Sequence, residues 1–347
     1  GNGSASGPMV QTGFEPAFLL IKCTSNSGTS WRLMDNKRNT SNPRSKYLEP
    51  QSNAAEANYN QVNFYANGFQ LITSDTSING SGRTQIYLAF AADGSTATPS
   101  LADSFETQTW TGNNAVRTIP YNFKPDLWFA KNYTATNGYG HYWSWVDSVR
   151  GGNSVIYSNA TNAANNNLSG TGSDAISFVN AGVTINTSGS NGYNENAFGF
   201  AGYAFKAGGG TPSINTDGSI TSLVSANQAA GFSVVKYTGD GNASTVGHGL
   251  DIAPEMYIVK SLSTGNWWTY HSGLNGGVNP SHYFIRLDLS NAESFNASSG
   301  GSIFNSTEPT STVFSGGTSI NTSNDFIAYC FTSISGYSKV GSYTGNG

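Results

Sequence analysis

Apolar residues in this chain come in short runs separated by long polar stretches, and one run recurs three times as EPAFLLIK, KPDLWFAK and APEMYIVK. Each copy carries a proline and, six residues on, a lysine: Pro16 and Lys22, Pro125 and Lys131, Pro254 and Lys260. A proline suits the first residue of a strand, where no ladder donor is needed. A short run that is apolar on both faces predicts a strand buried between two layers. The lysine then marks the exit to solvent.

A tryptophan strand follows each run, as WRLMD from Trp31 to Asp35, WSWVD from Trp143 to Asp147, and WWTYH from Trp267 to His271. Residues two apart share a face, so Trp31, Leu33 and Asp35 point one way, as do Trp143, Trp145 and Asp147. After a loop rich in Asn and Ser, an Asn-rich turn leads into an aromatic strand: NGSGRTQIYLAFA, NGYNENAFGFAGYAF and NTSNDFIAYCFTS. The pattern predicts an all-β chain of three tandem β-sandwich domains, jelly-roll or concanavalin-like, at 1–100, 101–217 and 218–335. The stretches DGSTATPS and KAGGGTPSINTDG serve as linkers. No long helix is expected, and SLVSANQAAG reads as an extended lead-in to the third domain.

The third repeat opens with a strand, GFSVVKYTGDGNAS at 231–244, that the first repeat lacks. The second has a looser counterpart, FETQTWTGNNAV. The last twelve residues, GYSKVGSYTGNG, match the opening strand of the third, with Gly336, Tyr337 and Ser338 standing for Gly231, Phe232 and Ser233. The chain also begins and ends on Gly-Asn-Gly, and placing one triplet on the other gives a period of 344 residues. Three arrangements satisfy this: one period of a longer tandem polypeptide, a strand given to the next subunit, or a strand that folds back to close a ring. The strand-donor form is head-to-tail strand addition, which makes a filament when it does not close. On that expectation residues 336–347 of an adjacent copy supply the missing first strand of domain 1. The assembly strand is then Gly336, Tyr337, Ser338, Lys339, Val340, Gly341, Ser342, Tyr343, Thr344 and Gly345.

The third repeat, from TDGSITSLVSANQAAGFSVVKYTGDG to NWWTYHSGL, resembles a domain family of unassigned function. That family recurs in structural and tail-fibre-like proteins of marine bacteriophages. The later phrases LDLSNAES, PTSTVFSGG and NTSNDFIAYCFTSISGYSKVGSYTGNG fit the same pattern, and in the family the last of them runs on into a segment like GPMVQTGFEPAFLLIK, here residues 7–22. The second repeat fits loosely, keeping Pro125, Lys131, Trp143 and Asp147. The resemblance implies a concanavalin-type or SPRY-type sandwich in a virion or extracellular fibre. It brings no catalytic residues with it.

Composition narrows the function. Charged residues are 10% of the chain and the net charge is −4, so no basic stripe exists to neutralise a phosphate backbone, and nucleic acid is not expected as a partner. No apolar run is long enough to span a bilayer as a helix, and no signal-peptide pattern opens the chain. Neutral polar residues dominate, with 39 Asn, 80 Ser plus Thr and 42 Gly, while aromatics stay at 13%, too high for a disordered chain. Such a surface suits an extracellular or virion setting. Cys23 and Cys330 read as two separate half-buried thiols.

No motif supports catalysis. The four histidines, His141, His248, His271 and His282, form no HExxH pattern, and no CxxC, GxSxG, GxGxxG or P-loop occurs. No metal or cofactor is expected. Asp35 and Asp147 hold one repeat position, with Arg38 and Arg150 three residues later. Each aspartate is expected to cap a turn and pair with its arginine, since both change where His271 replaces the aspartate. Trp267, Trp268 and Tyr270, with Tyr139 and Tyr142 in the second repeat, are the candidates for stacking on a sugar ring. Adjacent tryptophans on a strand face opposite sides, so one of Trp267 and Trp268 lies away from the core. Asp240 and Asn242, and the NEN at 194–196, sit in turns of a kind that can hold calcium, although turn formation alone explains them. The Asn-X-Ser/Thr sites, among them Asn39, Asn79, Asn132, Asn186, Asn242 and Asn321, are as frequent as this composition gives by chance. The expected function is a non-enzymatic fibre subunit that assembles with itself. The alternative is a carbohydrate- or receptor-binding module with surface glycans as partners, and a polysaccharide depolymerase is the weakest third reading.

Overall fold

The computed structural model describes residues 4–91, 103–134, 142–166, 175–186, 193–296 and 302–344. It is all-β, built of several sheets, none of which closes on itself. The one α-helix among the described residues is the four-residue Thr76–Asn79.

Each repeat builds a sheet of the same strand order: opening, closing, proline and tryptophan strand. In the second repeat these are Phe105–Thr111, Gly199–Phe205, Leu127–Asn132 and Ser144–Asp147. In the third they are Phe232–Thr238, Asp325–Phe331, Met256–Ser261 and Trp267–His271. In the first they are Ser338–Thr344, Thr84–Ala91, Pro16–Cys23 and Arg32–Asp35. All pairings are antiparallel, which short loops between neighbouring strands permit.

Period-two alternation sends these sheets to two cores at once. Phe18 and Leu20, Leu127 and Phe129, and Met256 and Ile258 all enter one cluster shared by the three repeats. The residues between them turn outward to a separate cluster in each repeat. Leu19 and Ile21 meet Val62, Phe64, Phe69 and Leu71 of a smaller second sheet. Trp128 and Ala130 meet Val183 and Ile185, and Tyr257 and Val259 meet Val246 and Phe314. The proline strands are thus apolar on both faces because each lies between two cores.

The shared cluster makes one body of the three repeats rather than three separable beads. The boundary near 217 also shifts: Ser213–Asn215, inside the expected linker, pairs with Ser222–Asn227, the extended lead-in, and both extend the third repeat's sheet. The linker at 93–100 lies outside the described residues.

One expectation is corrected. The proline-strand lysines do not exit to solvent. Lys22, Lys131 and Lys260 are buried, and each ammonium folds back to donate to the carbonyl of the next residue, Cys23, Asn132 and Ser261, at 2.7, 2.7 and 2.6 Å. Ser338–Thr344 pairs with Thr84–Ala91 of its own chain, in register from Ser338 opposite Phe90 to Thr344 opposite Thr84. Of the three arrangements the structure adopts the ring. Its register differs from the sequence overlay by one residue at the start, since Phe232 stands opposite Phe331 where Ser338 stands opposite Phe90. Tyr337, just outside the ladder, still packs its ring 5.6 Å from Phe90.

Candidate functional site at the inter-repeat junctions

The residues that recur between repeats converge on the three junctions. Each tryptophan indole donates across one. Trp31 Nε1 reaches Arg286 O in the third repeat at 3.0 Å, and Trp143 Nε1 reaches Glu49 O in the first at 2.9 Å. Trp267 Nε1 reaches Tyr157 O and Ala160 O in the second at 2.8 and 3.2 Å. The donors therefore run round a cycle. Backbone bonds accompany them at every junction, from Gly28 N to Ser290 O, Glu56 N to Tyr133 O and Ala164 N to Leu262 O. Burying a large apolar ring while meeting its one polar atom is what tryptophan offers at such a place.

A buried ion pair lies at two of the junctions. Asp35 accepts the Arg38 N–H at 2.8 Å, Arg38 Nε at 2.6 Å and, from the second repeat, the Tyr203 hydroxyl at 2.7 Å. Asp147 accepts the Arg150 N–H at 2.8 Å, Arg150 Nε at 2.5 Å and the Tyr329 hydroxyl of the third repeat at 2.8 Å. Burial opposes the charge of Asp35, but the Arg38 guanidinium and the donated hydrogen bonds win and hold its carboxyl below the usual range. Both aspartates cap their turns and pair with the arginine three residues on, and neither is free to act as a base.

The third junction replaces the whole set. His271 stands for the aspartate, Leu274 for the arginine and Leu88 for the tyrosine, since Leu88 pairs with Leu20 as Tyr203 pairs with Phe129 and Tyr329 with Ile258. Losing the acceptor alone would strand a buried guanidinium and a buried hydroxyl, so the three change together. His271 Nδ1 accepts the Gly273 N–H at 2.9 Å, which leaves Nε2 to donate to Tyr87 O of the first repeat at 3.3 Å. Burial pulls its pKa down to about 4.

Asparagines grip the turn after each opening strand, a role the Asn-rich turns hinted at without fixing which asparagine serves. Asn321 Nδ2 donates to Asp240 Oδ1 and Asn242 O, and Asn194 Nδ2 to Asn113 Oδ1 and Ala115 O. Asn79 Nδ2 donates to Ser4 O at 2.7 Å, while the Tyr343 hydroxyl donates to Ile78 O at 2.6 Å. Both described ends of the chain thus meet at the helix Thr76–Asn79. Asp126 gave no signal in the sequence. Buried at the second junction, it accepts from Ser148 Oγ, Ser225 Oγ and the N–H groups of Ala207 and Gly209.

The sugar-stacking candidates do not assemble. Trp267 is fully buried and Tyr270 nearly so, hydroxyl bound to Glu308, so neither presents a face; the shared core and the third repeat's own core cover them. Trp268 is half-buried against Phe284, with Arg286 over its ring. Tyr142 is 40% exposed and packs on Tyr157. Tyr139 and His141 lie outside the described residues. The Asp240 carboxylate is occupied by Asn242 N, Ser244 Oγ and Asn321, which leaves it a turn former. No group of three His, Cys, Asp or Glu side chains among the described residues is placed to hold a metal. Cys23 and Cys330 are buried free thiols. Of the glycosylation sequons, Asn79, Asn132 and Asn321 are buried, while Asn242 is exposed.

The terminal residues Gly336 to Thr344 form or lead into the strand that closes the ring, and Gly345 lies outside the described residues. No curated protein matches the chain. A family described as Domain of unknown function (DUF7483) matches residues 1–93 and 100–347, and the chain belongs to that family.

Proposed function

We propose that this chain is a non-enzymatic structural subunit of an extracellular or virion fibre, made of three β-sandwich units held as one rigid body. The observation that carries the reading is the cycle of tryptophan bonds. The residues that recur in the sequence are spent on locking repeats together, and neutral polar loops are left to face water. The terminal strand Ser338–Thr344 supplies the means of assembly. Its seven-residue ladder with Thr84–Ala91 would be equally satisfied by the same strand of a second copy, and exchange converts closed rings into a head-to-tail polymer. The resemblance to tail-fibre-like domains points the same way. A receptor-binding role gains nothing from the stacking candidates named in the sequence, which lie apart.

Cysteines at Ala89 and Lys339, opposite each other in the ladder, test the reading. Filaments in electron micrographs together with disulfides between chains are expected. Monodisperse single chains at high concentration, with the disulfide only within a chain, would refute assembly by strand exchange.

A further inference from the structure

The groove that holds the terminal strand is matched to it in side-chain size. Residues directly opposite each other in a ladder share a face, so their side chains must fit one another. On the face turned to each repeat's own core, the middle of the closing strand is Tyr87 in the first repeat, Gly202 in the second and Ala328 in the third. Opposite them stand Gly341, Gln108 and Val235. The one large closing-strand residue thus meets glycine, and the two small ones meet longer side chains. The backbone at Gly341 is not left-handed, so glycine is needed there for space alone. A Cβ at this position would stand 2.7 Å from Tyr87 Oη and 2.8 Å from its Cζ. Neighbours hold the Tyr87 ring in place: it is buried, with the Phe69 ring centred 5.4 Å away and the Tyr343 ring 6.3 Å away.

Register is set two residues further on. The Tyr343 hydroxyl donates to Ile78 O at 2.6 Å, and in the third repeat the Tyr237 hydroxyl donates to Ile320 O at 2.6 Å. The tyrosine is therefore common to both grooves, and the residue two before it tells them apart. Laid along Thr84–Ala91 with Tyr237 in the place of Tyr343, the strand Phe232–Thr238 would drive Val235 into Tyr87. A slip of one residue would relieve the clash only by turning every side chain to the opposite face. Conversely, the terminal strand laid along Asp325–Phe331 would set Gly341 against Ala328 and leave a void in a close-packed core. We infer that the groove along Thr84–Ala91 is a sequence-selective strand-binding site, whose occupant carries glycine opposite Tyr87 and tyrosine two residues later. The partner it selects is the terminal strand of a second copy, and the opening strands of the second and third repeats are shut out. Donation between copies rests on the assembly proposed above, whereas the selectivity is a property of the single chain. Exchange limited in this way gives one kind of joint in one register.

The test uses whole chains carrying Gly341→Val, Tyr87→Ala or both, the double variant copying the Val235–Ala328 pair of the third repeat. In dilute single chains, hydrogen exchange at the amides of Ser338–Thr344 is expected to quicken about tenfold or more in each single variant, through overpacking or a cavity. In the double variant it should return toward the parent rate. Labelled synthetic peptides of residues 336–344 and 231–238 are then offered to the Gly341→Val chain, whose own strand no longer fits. Capture of the first and not the second is expected, and capture should be lost when the first peptide itself carries Gly341→Val. Capture of both peptides or of neither, unchanged exchange in Gly341→Val, or a double variant no better protected than the single ones would overturn the selectivity. If Gly341→Val does not fold, the double variant decides: a folded chain with a protected terminal strand supports the match, and an unfolded one refutes it. Absence of filaments would count against assembly and leave these results standing.

Discussion

Raising the pH from 7 to 9 should stabilise this protein, because of its three buried lysines. Burial lowers the pKa of Lys22, Lys131 and Lys260 from 10.5 to about 8, 7 and 8. The unfolded chain then holds more protons than the folded one between those values and 10.5, so unfolding free energy rises with pH across that window and the gain is lost as pH falls through it. Linkage gives about 2 kcal/mol for Lys131 and about 1 kcal/mol for each of the others between pH 7 and 9, about 4 kcal/mol together. The Cys330 thiol, pushed up to about 12 by burial, opposes this only slightly at pH 9. The buried tyrosines, with pKa values raised by burial, oppose it only above that range. The perturbation is Lys131→Met, and the assay is urea unfolding followed by tryptophan fluorescence at pH 7, 8 and 9. The variant's rise should be smaller than the parent's by about 2 kcal/mol. Absolute stability is the wrong readout, because methionine leaves Asn53 O and Asn132 O without their donor. Equal rises in parent and variant would refute the reasoning and show that the two carbonyls hold the ammonium charged at neutral pH.

Three further outcomes are expected. His271 has a folded pKa of about 4 against 6.5, so the stability of its neutral form is complete above pH 6.5 and falls by about 3 kcal/mol on going to pH 4. Hydrogen exchange should show the amides of Thr84–Ala91 losing protection first on acidification, and less so in His271→Gln. Tyr203→Phe should cost about 1.5–3 kcal/mol, as for a hydrogen bond to a charged group. A double-mutant cycle with Asp35→Asn should give a coupling near that size, whereas Leu88→Phe at the sister position should show none with His271. Joining Thr344 to Ser4 through one Gly-Asn-Gly should leave the fold intact and stabilise it by up to about 5 kcal/mol, since the unfolded chain is then a closed loop. A melting temperature below that of the parent would show that the ends do not meet at Thr76–Asn79 as their bonds to Asn79 and Ile78 require.

Periodicity carried the sequence reading well where it reported local structure. The proline and tryptophan strands, the opening-strand motif at the C-terminus and the capping role of Asp35 and Asp147 were all visible as repeated residue types. The lysines were misplaced because a charge at a strand end ordinarily leaves the core, and nothing in the pattern EPAFLLIK shows that carbonyls wait for it inside. The closure in cis was one of three arrangements the seam allowed, because the motif fixes which strand fits the slot and not whose chain supplies it. Asp126 and Ala17 stand at one repeat position, but the role of Asp126 shows only when the N–H groups of Ala207 and Gly209 are seen against its carboxylate.

The cycle of indole bonds also has a consequence for how such a chain can change. In a solenoid every unit touches only its neighbours, and units can be added or lost along the axis at little cost. Here the rotation from one unit to the next is used up after three steps, and the last opening strand lands on the first closing strand. A fourth unit would have no place round the axis, and a chain of two would leave an indole and a strand edge unmet. Copy number in this architecture is therefore set by geometry. Variation is left to the loops and to the residues that distinguish one junction from the next.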